Sequence, residues 1–572
     1  MIKIKSMKPS GWIKSLMQEE VRHHVIDKLP ELLPDLFHDD LYAKDRIGPH
    51  TRPKDLGTVE NDPSWNAQFY WWNSETIGNY YDGLMRYGYL LDDHRMIEKA
   101  NQFIMHILSS QDGDGYLGIY TPEFRYQFNS ENGELWAKTT IGRLLLGYYR
   151  YTKDETALTA VKRMTDNLMV HWPIHRSQPF SGTNTFAGVA HGLMFVDVLY
   201  ELYEITNDFS YIEYALFLYE DYNQHDVSEP DSLICNLTND QYRFKGHGVH
   251  TYEHLRAIAI YDKFTHKKFD LYHHYLKKLQ WVLSPSGGPI GDEWIMGNIA
   301  DADTHGYEFC SIHELMASLI FVSKIGLDNQ FELVRKIYMN ANRGSHHHNL
   351  HMIAYLKSDN SYAMQGIFHG VQIHSPHKIQ TRYKYSPTHQ DAAVCCAPNA
   401  VRITPYFLDG IIQINDQQVF LNIVAPVELE FIVDGQGFYL NIEQETPYQP
   451  ATIRTNLGDR FVRNDQPTEQ VILVRKDLHH HTFFEWNSLV FAYAIPGKDQ
   501  MTKTHLYDLK DIYVLPYQKH IPLTYRGGTP KLVTTSNVPE IHVPLYQGNH
   551  RIDARLIPMG ETNLRQVTFG DG

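Results

Sequence analysis

Three of the four cysteines in this 572-residue chain fall into two short motifs. Cys395 and Cys396 are adjacent in Val394-Cys-Cys-Ala-Pro-Asn399, and Cys310 lies 85 residues earlier in Tyr307-Glu-Phe-Cys310. Neighbouring cysteines do not pair easily with each other, and three thiols cannot all pair among themselves. With Glu308 beside Cys310 they make a four-ligand set for Zn²⁺ in tetrahedral geometry, and three soft thiolates select zinc over magnesium or calcium. Such an ion holds structure or activates a thiolate; free buried thiols without a metal are the plainer alternative. Cys235, in Leu233-Ile-Cys-Asn236, lacks such a setting and reads as an inert thiol.

Glu293 is the candidate for proton transfer. It lies in Gly287-Gly-Pro-Ile-Gly-Asp-Glu-Trp294, 15 residues before Glu308. A carboxylic acid beside Trp294 is suited to donate a proton, whereas a surface-loop carboxylate is the bland alternative. His191, His247 and His250 stand ahead of apolar-periodic segments and are candidates to contact a ligand; a lone histidine is otherwise a satisfied structural residue. The triplets His346-His-His348 and His479-His-His481 read as surface histidines, because adjacent side chains do not converge on one ion.

The elements that must position these residues fall into two halves. Up to about residue 404 the pattern is helical, with Ile77, Tyr81, Leu84 and Leu91 marking one stripe. Polar turns recur at Asp92-Asp93-His94, Thr152-Lys153-Asp154, Thr206-Asn207-Asp208, Thr265-His266-Lys267 and Leu327-Asp328-Asn329, at intervals of 54 to 62 residues. That is a repeated helix pair, and about six pairs fit. One pair cannot bury its apolar face alone, so closure into an (α/α)6 toroid is expected, with an open solenoid as the alternative. The polar motifs Asn73-Ser-Glu75, Gly133-Glu134, His191, His247-Gly-Val-His250 and Glu308-Phe-Cys310 all precede expected inner helices and so gather at one mouth. Ser311 with Glu314 has the spacing of a capping box, which places Cys310 just outside a helix N-terminus. Pro398 suits the first turn of a helix after the cysteine pair.

From residue 405 to 572 the period becomes two. Ile411–Asn415, Val419–Ile423, Val427–Val433 and Phe438–Ile442 read as antiparallel strands of β-sandwich material, as one module or as two divided near residue 515. The fold class is therefore mainly α plus β. With no low-complexity linker between the halves, the strands are expected to pack on the helices.

Composition bounds the partners. Hydrophobic residues make up 42% and charged residues 21%, which describes a soluble globular protein. The net charge of −15 disfavours nucleic acid and anionic membrane. Few cysteines, and a start (Met1–Ser10) without the apolar core of a secretory signal, lead to a cytoplasmic expectation. The 38 Tyr and 9 Trp suit carbohydrate stacking as well as a core.

The two cysteine motifs together carry a resemblance. Glu308-Phe-Cys310 is similar to a Glu-x-Cys motif, and Cys395-Cys396-Ala-Pro-Asn-Ala-Val-Arg402 to a Cys-Cys-x-Pro-Asn-x-x-Arg motif, of the zinc-thiolate β-L-arabinofuranosidases of glycoside hydrolase family 127. Val419–Ile423 and Glu443-Gln-Glu-Thr-Pro-Tyr448 resemble the start of that family's β module. The resemblance implies zinc held by Glu308, Cys310, Cys395 and Cys396, with Cys395 as nucleophile. It implies Glu293 as acid/base, with Asp292 competing, and a sugar pocket that includes His247 and His250. It further implies a retaining hydrolysis that releases a terminal furanose from a glycoside or oligosaccharide. Glu134-Leu-Trp-Ala-Lys-Thr-Thr140 departs from the family where a Gly-His pair often stands, which puts the sugar in doubt. Other classes remain open: a lyase or unsaturated-uronide hydrolase on the same toroid, or a carbohydrate-binding protein with structural zinc. The strand region leaves dimerisation, with a homodimer as one outcome, alongside binding and stabilisation.

Overall fold

The computed structural model describes residues 2–22, 25–32, 34–51, 71–127, 132–182, 188–265, 269–291, 293–347, 352–364, 367–368, 371–372, 384–386, 395–415, 417–465, 471–504 and 510–571. Helices α1 (Gly11–Arg22), α2 (Val25–Leu32) and α3 (Pro34–Phe37) lead into a series of helix pairs. These are α4 (Trp72–Leu91) with α5 (His94–Ser109), and α6 (Glu134–Thr152) with α7 (Glu155–His171). Next come α8 (Gly188–Gly192) and α9 (Phe195–Thr206) with α10 (Ser210–Tyr222). After α11 (Ile234–Leu237) follow α12 (Gly248–Glu253) and α13 (Leu255–Phe264) with α14 (Leu271–Leu279). The last are α15 (Phe309–Lys324) with α16 (Phe331–Lys336), and α17 (Cys396–Asp409), which runs on past residue 404.

The turns form where their chemistry predicts. Asp92 takes a left-handed φ of 58°, the Asp93 N–H reaches the Gly88 carbonyl at 2.9 Å, and the Asp93 carboxylate caps the Arg95 and Met96 N–H groups. Two adjacent aspartates thus end one helix and start the next. Lys153 and Asn207 close α6 and α9 in the same left-handed conformation. His266 and Lys267 lie outside the described residues.

Burial separates the members of each pair. In α5 the buried residues are Met96, Ala100, Ile104 and Ile107, a single stripe. In α4 burial runs nearly all round and takes in Glu75, Asn79, Asp82 and Arg86 as well as the apolar stripe. Among these interior helices α4 packs on α6, α6 on α9, α9 on α13, α13 on α15, α15 on α17, and α17 on α4. Glycines allow the closest approaches: a Cβ on Gly83 would meet the Val401 carbonyl at 2.7 Å, and one on Gly78 would run into Thr140 Oγ1.

The strand-rich C-terminal region includes a sheet with an unforeseen member. Strand β1 (Ile2–Pro9) pairs antiparallel with Val427–Val433, followed across the sheet by Gln436–Glu443 and Thr452–Thr455. Val427, Leu429, Phe431 and Val433 alternate with outward Glu428 and Glu430, and Asp434-Gly435, both at positive φ, make the hairpin turn. A larger sheet runs through Leu473–Lys476, Thr482–Trp486, Leu489–Ala494, His550–Pro558 and Glu540–Gln547. The two halves pack together: Lys336 Nζ donates to Glu485 Oε2 at 2.7 Å, and Trp12 Nε1 to Gln444 Oε1 at 2.9 Å. Among the described residues no helix is long and apolar enough to cross a membrane.

Candidate active site

The cysteine motifs meet at the N-terminal ends of two adjacent interior helices. Cys395 is the N-cap of α17, Cys396 its first residue, and Pro398 sits in its first turn. Glu308 is the N-cap of α15, so Cys310 is the second residue inside that helix, not outside it. The capping-box expectation fails because Glu314 is taken by a distant partner: its carboxylate bonds the Arg256 guanidinium. Strand pairing of Tyr307–Glu308 with Leu356–Lys357 fixes the entry to α15.

The four ligand atoms of Glu308, Cys310, Cys395 and Cys396 lie within 4.8 Å of one another. Cys395 Sγ is 3.8 Å from Cys396 Sγ, and Glu308 Oε1 is 3.6 Å from Cys395 Sγ and 3.5 Å from Cys396 Sγ. Tetrahedral zinc, with Zn–S about 2.3 Å and Zn–O about 2.0 Å, spaces sulfurs about 3.8 Å apart and sulfur from oxygen about 3.5 Å. The donor set fits that ion. Cys310 and Cys396 come closer, at 2.9 Å, a separation still far beyond the ~2.05 Å of a disulfide. Hydrogen bonds from the Cys310 and Cys396 thiols hold the Cys395 thiol well below its ordinary range, against burial and the Glu293 charge. Burial pushes the other two thiols up.

Glu293 is buried beside this cluster, at a left-handed φ of 66°. Its carbonyl accepts the Gly248 N–H at 2.6 Å, which ties its loop to the start of α12. The Tyr355 hydroxyl donates to Glu293 Oε1, and His247 Nε2 is 3.9 Å from Oε2. Glu293, His247 and Glu308 offer ligand atoms within 4.8 Å of one another, so Glu308 belongs to both groups. Asp292 lies outside the described residues.

His191 and His250 form an adjoining wall. His191 Nδ1 lies 2.7 Å from Glu253 Oε1, and its ring stacks on Trp136 with centroids 4.4 Å apart. His250 meets the His191 ring edge-on at 4.1 Å and the His247 ring at 4.9 Å. Burial works against charge on His191, but Glu253 raises its pKa above the ordinary value; burial drives His250 well below its own. Trp136 Nε1 donates to Glu75 Oε2 at 2.9 Å, and burial lifts Glu75 to about 8, the Cys395 charge adding to the rise. Burial likewise lifts Glu229, which accepts the His247 N–H, to about 8.

Among the described residues, Glu293, Glu308, Cys310, Cys395, Cys396, His191, His247 and His250 thus fall in one region. Glu134 does not join them: it is an ion-pair partner of Lys138 at 2.8 Å. His347 is buried, with Nε2 3.1 Å from Asp499, and so is not the surface histidine expected of its triplet; His348 lies outside the described residues. Cys235 is exposed. Tyr355, Glu229 and Glu253 carry no mark in the sequence, where they look like ordinary strand and helix residues. Arg402, the end of the cysteine motif, donates to Asn399 Oδ1 at 2.8 Å and stands 3.4 Å from Asp82, tying α17 to α4 beneath the site.

Buried carboxylates and histidines stand at the helix ends beside a thiol cluster, a set suited to proton transfer and nucleophilic attack. The family model described as "Beta-L-arabinofuranosidase, GH127 catalytic domain" matches residues 20–268, less than half of the chain. The matched span takes in His191, His247 and His250 and stops short of the cysteine motifs. Among solved structures, a GH127 β-L-arabinofuranosidase from Geobacillus stearothermophilus T6 is 13% identical, covers 99% of each chain and has a TM-score of 0.68. A GH127 β-arabinofuranosidase is 11% identical over 99% of this chain and 98% of its own, at 0.60. A further glycoside hydrolase is 14% identical over 87% and 91%, at 0.58. At these identities the likeness speaks for the fold. No curated protein gives a significant match.

Proposed function

We propose that this chain is a retaining glycosidase that releases a terminal furanose such as β-L-arabinofuranose, with Cys395 as nucleophile and Glu293 as acid/base. The observation that carries this is the position of Glu308, whose carboxylate borders the three thiols on one side and Glu293 with His247 on the other. A nucleophile and a proton donor therefore share one small site.

Zinc held by Glu308, Cys310, Cys395 and Cys396 would keep Cys395 as a thiolate and fix its direction. The Cys395 sulfur attacks the anomeric carbon while Glu293 gives its proton to the leaving oxygen, breaking the glycosidic bond. Glu293, now a carboxylate, takes a proton from water, whose oxygen attacks the same carbon and releases the Cys395 thiolate. Two inversions amount to retention. His191, His247 and His250 bind the sugar hydroxyls, with Trp136 backing His191. Asp292 is the rival acid/base.

The catalytic unit in this reading is an (α/α)6 toroid over residues 1–404, extended to Asp409 by α17 and less the strand Ile2–Pro9, which joins the β-sandwich material of 405–572 in one module or two. The sequence of interior-helix contacts, returning from α17 to α4, supports closure. A cytoplasmic location and a homodimer complete the reading; both rest on the sequence alone.

The test is hydrolysis of p-nitrophenyl β-L-arabinofuranoside by wild type, Cys395→Ser and Glu293→Gln, with zinc content measured in each. Turnover by wild type alone, with folded variants, supports the assignment. A zinc-loaded wild type inactive on this glycoside overturns the sugar. A fully active Cys395→Ser overturns the nucleophile.

A further inference from the structure

The cysteine site occupies the N-terminal ends of the interior helices. A second cavity lies toward their other ends, lined by Arg150 in the last turn of α6, Glu204 in that of α9, Lys324 at the end of α15 and Asp409 at the end of α17. It encloses about 150 Å³. At ~30 Å³ per water that is room for roughly five waters, or for a small oxyanion with some of its hydration. Five cations reach it (Arg86, Arg143, Arg150, Arg256 and Lys324) in a chain that carries 67 acidic residues against 52 basic ones.

Four carboxylates share the wall, and their partners can be followed one by one. Asp197 Oδ2 takes Arg143 Nη2 at 2.5 Å and Arg256 Nη1 at 3.1 Å. Glu201 pairs with Arg150 at 2.5 Å, and Asp409 with Arg86 at 3.0 Å. Glu204 accepts the Tyr200 hydroxyl at 2.8 Å. Two donors remain. Lys324 makes no ion pair and no side-chain hydrogen bond among the described residues. Arg143 Nη1 is buried with no hydrogen-bond acceptor, on a residue only 5% exposed whose guanidinium lies 5.3 Å from the centre of the Trp136 ring.

Helix dipoles explain part of this. Cations favour helix C-termini, which accounts for Arg150 and Lys324. It does not account for Arg143, which sits in the middle of α6. A buried guanidinium N–H without an acceptor is unfavourable, and such groups ordinarily find one. Burial also holds the Lys324 ammonium below its ordinary range despite Asp409 nearby, as expected where no anion is in direct contact.

We infer that this cavity binds a small oxyanion of the phosphate or carboxylate class, held between Lys324 and the open edge of the Arg143 guanidinium. A planar fork and a point charge are the pair of donors that such an anion takes. None of these residues belongs to the cysteine site, so the inference stands apart from the proposed hydrolysis. An anion here joins α6 to α15 and stabilises the folded chain by linkage.

The experiment is thermal unfolding of the full chain in inorganic phosphate or malonate, against chloride at equal ionic strength, with Lys324→Ala beside wild type. The expected result is a saturable rise in Tm for wild type, with half-saturation at least tenfold higher in Lys324→Ala. A rise with phosphate alone assigns the phosphate class, and a rise with malonate alone the carboxylate class. Equal half-saturation in the two proteins, or no rise with either anion, overturns the site. Titration calorimetry of wild type with the same two anions decides the matter should the variant not fold: absence of saturable heat overturns the inference.

Discussion

Tyr355 donates its hydroxyl to Oε1 of Glu293, while its backbone carbonyl accepts the Phe309 N–H at 3.0 Å. One residue therefore holds the proposed acid/base and the start of the helix that carries Cys310. Tyr355→Phe is expected to lower kcat/KM about tenfold to a hundredfold, through looser positioning of Glu293. A hydroxyl donated to a carboxylate favours its charged form. Its loss favours the protonated acid, so the alkaline limb of the pH–rate profile is expected to move to higher pH. A profile of unchanged shape would reduce Tyr355 to packing.

Cys395 is half-buried, whereas Cys310 and Cys396 are buried. Cys310→Ser is expected to lose bound zinc and lower Tm by several degrees, because the site joins α15 to α17. Cys395→Ser is expected to cost little Tm while reducing turnover by about 10⁴ or more. Metal analysis with calorimetry, before and after a chelator, separates the two.

Glu75 and Glu229 are each lifted from an ordinary 4.5 to about 8 by burial. Below pH 4.5 folded and unfolded chains both hold these protons. Between 4.5 and 8 the unfolded chain has released them and the folded chain has not, so stability falls as pH rises through that window. Tm is expected to be lower at pH 8 than at pH 5.5 on this account, with Glu229→Gln flattening the dependence. A Glu229→Gln protein with the wild-type slope would refute it.

Arg402 lies fully buried, 3.4 Å from Asp82 and 3.6 Å from Glu314. Burial opposes charge on Asp82, yet Arg86 and Arg402 hold its carboxyl below the ordinary range. Arg402→Ala leaves Asp82 to Arg86 and Glu314 to Arg256 and takes one buried cation from between them, which is expected to cost about 3–5 kcal/mol. Urea unfolding measures this directly, and a loss under about 1 kcal/mol would contradict it.

Features set by neighbours in sequence were legible before the fold. Asp92-Asp93 carries its own capping chemistry, and Asp434-Gly435 its own turn, so both fall where expected. The cysteine pair was legible because few other roles suit adjacent thiols before a helix. What failed was set at a distance. Ser311 and Glu314 have capping-box spacing, but Arg256 on α13 claims the glutamate. Strand β1 pairs with Val427–Val433, more than 400 residues away, and nothing local announces that partner. Tyr355 and Glu253 acquire a role only when α12, α15 and the Glu293 loop converge.

Glu308 has one carboxylate and two sets of neighbours. A cation held at the sulfurs would offset the Glu308 charge that faces Glu293 and His247, whose ligand atoms lie within 4.8 Å of its own. A half-loaded preparation is accordingly expected to show one pH profile at half height, since the unloaded chains lack the activated thiolate.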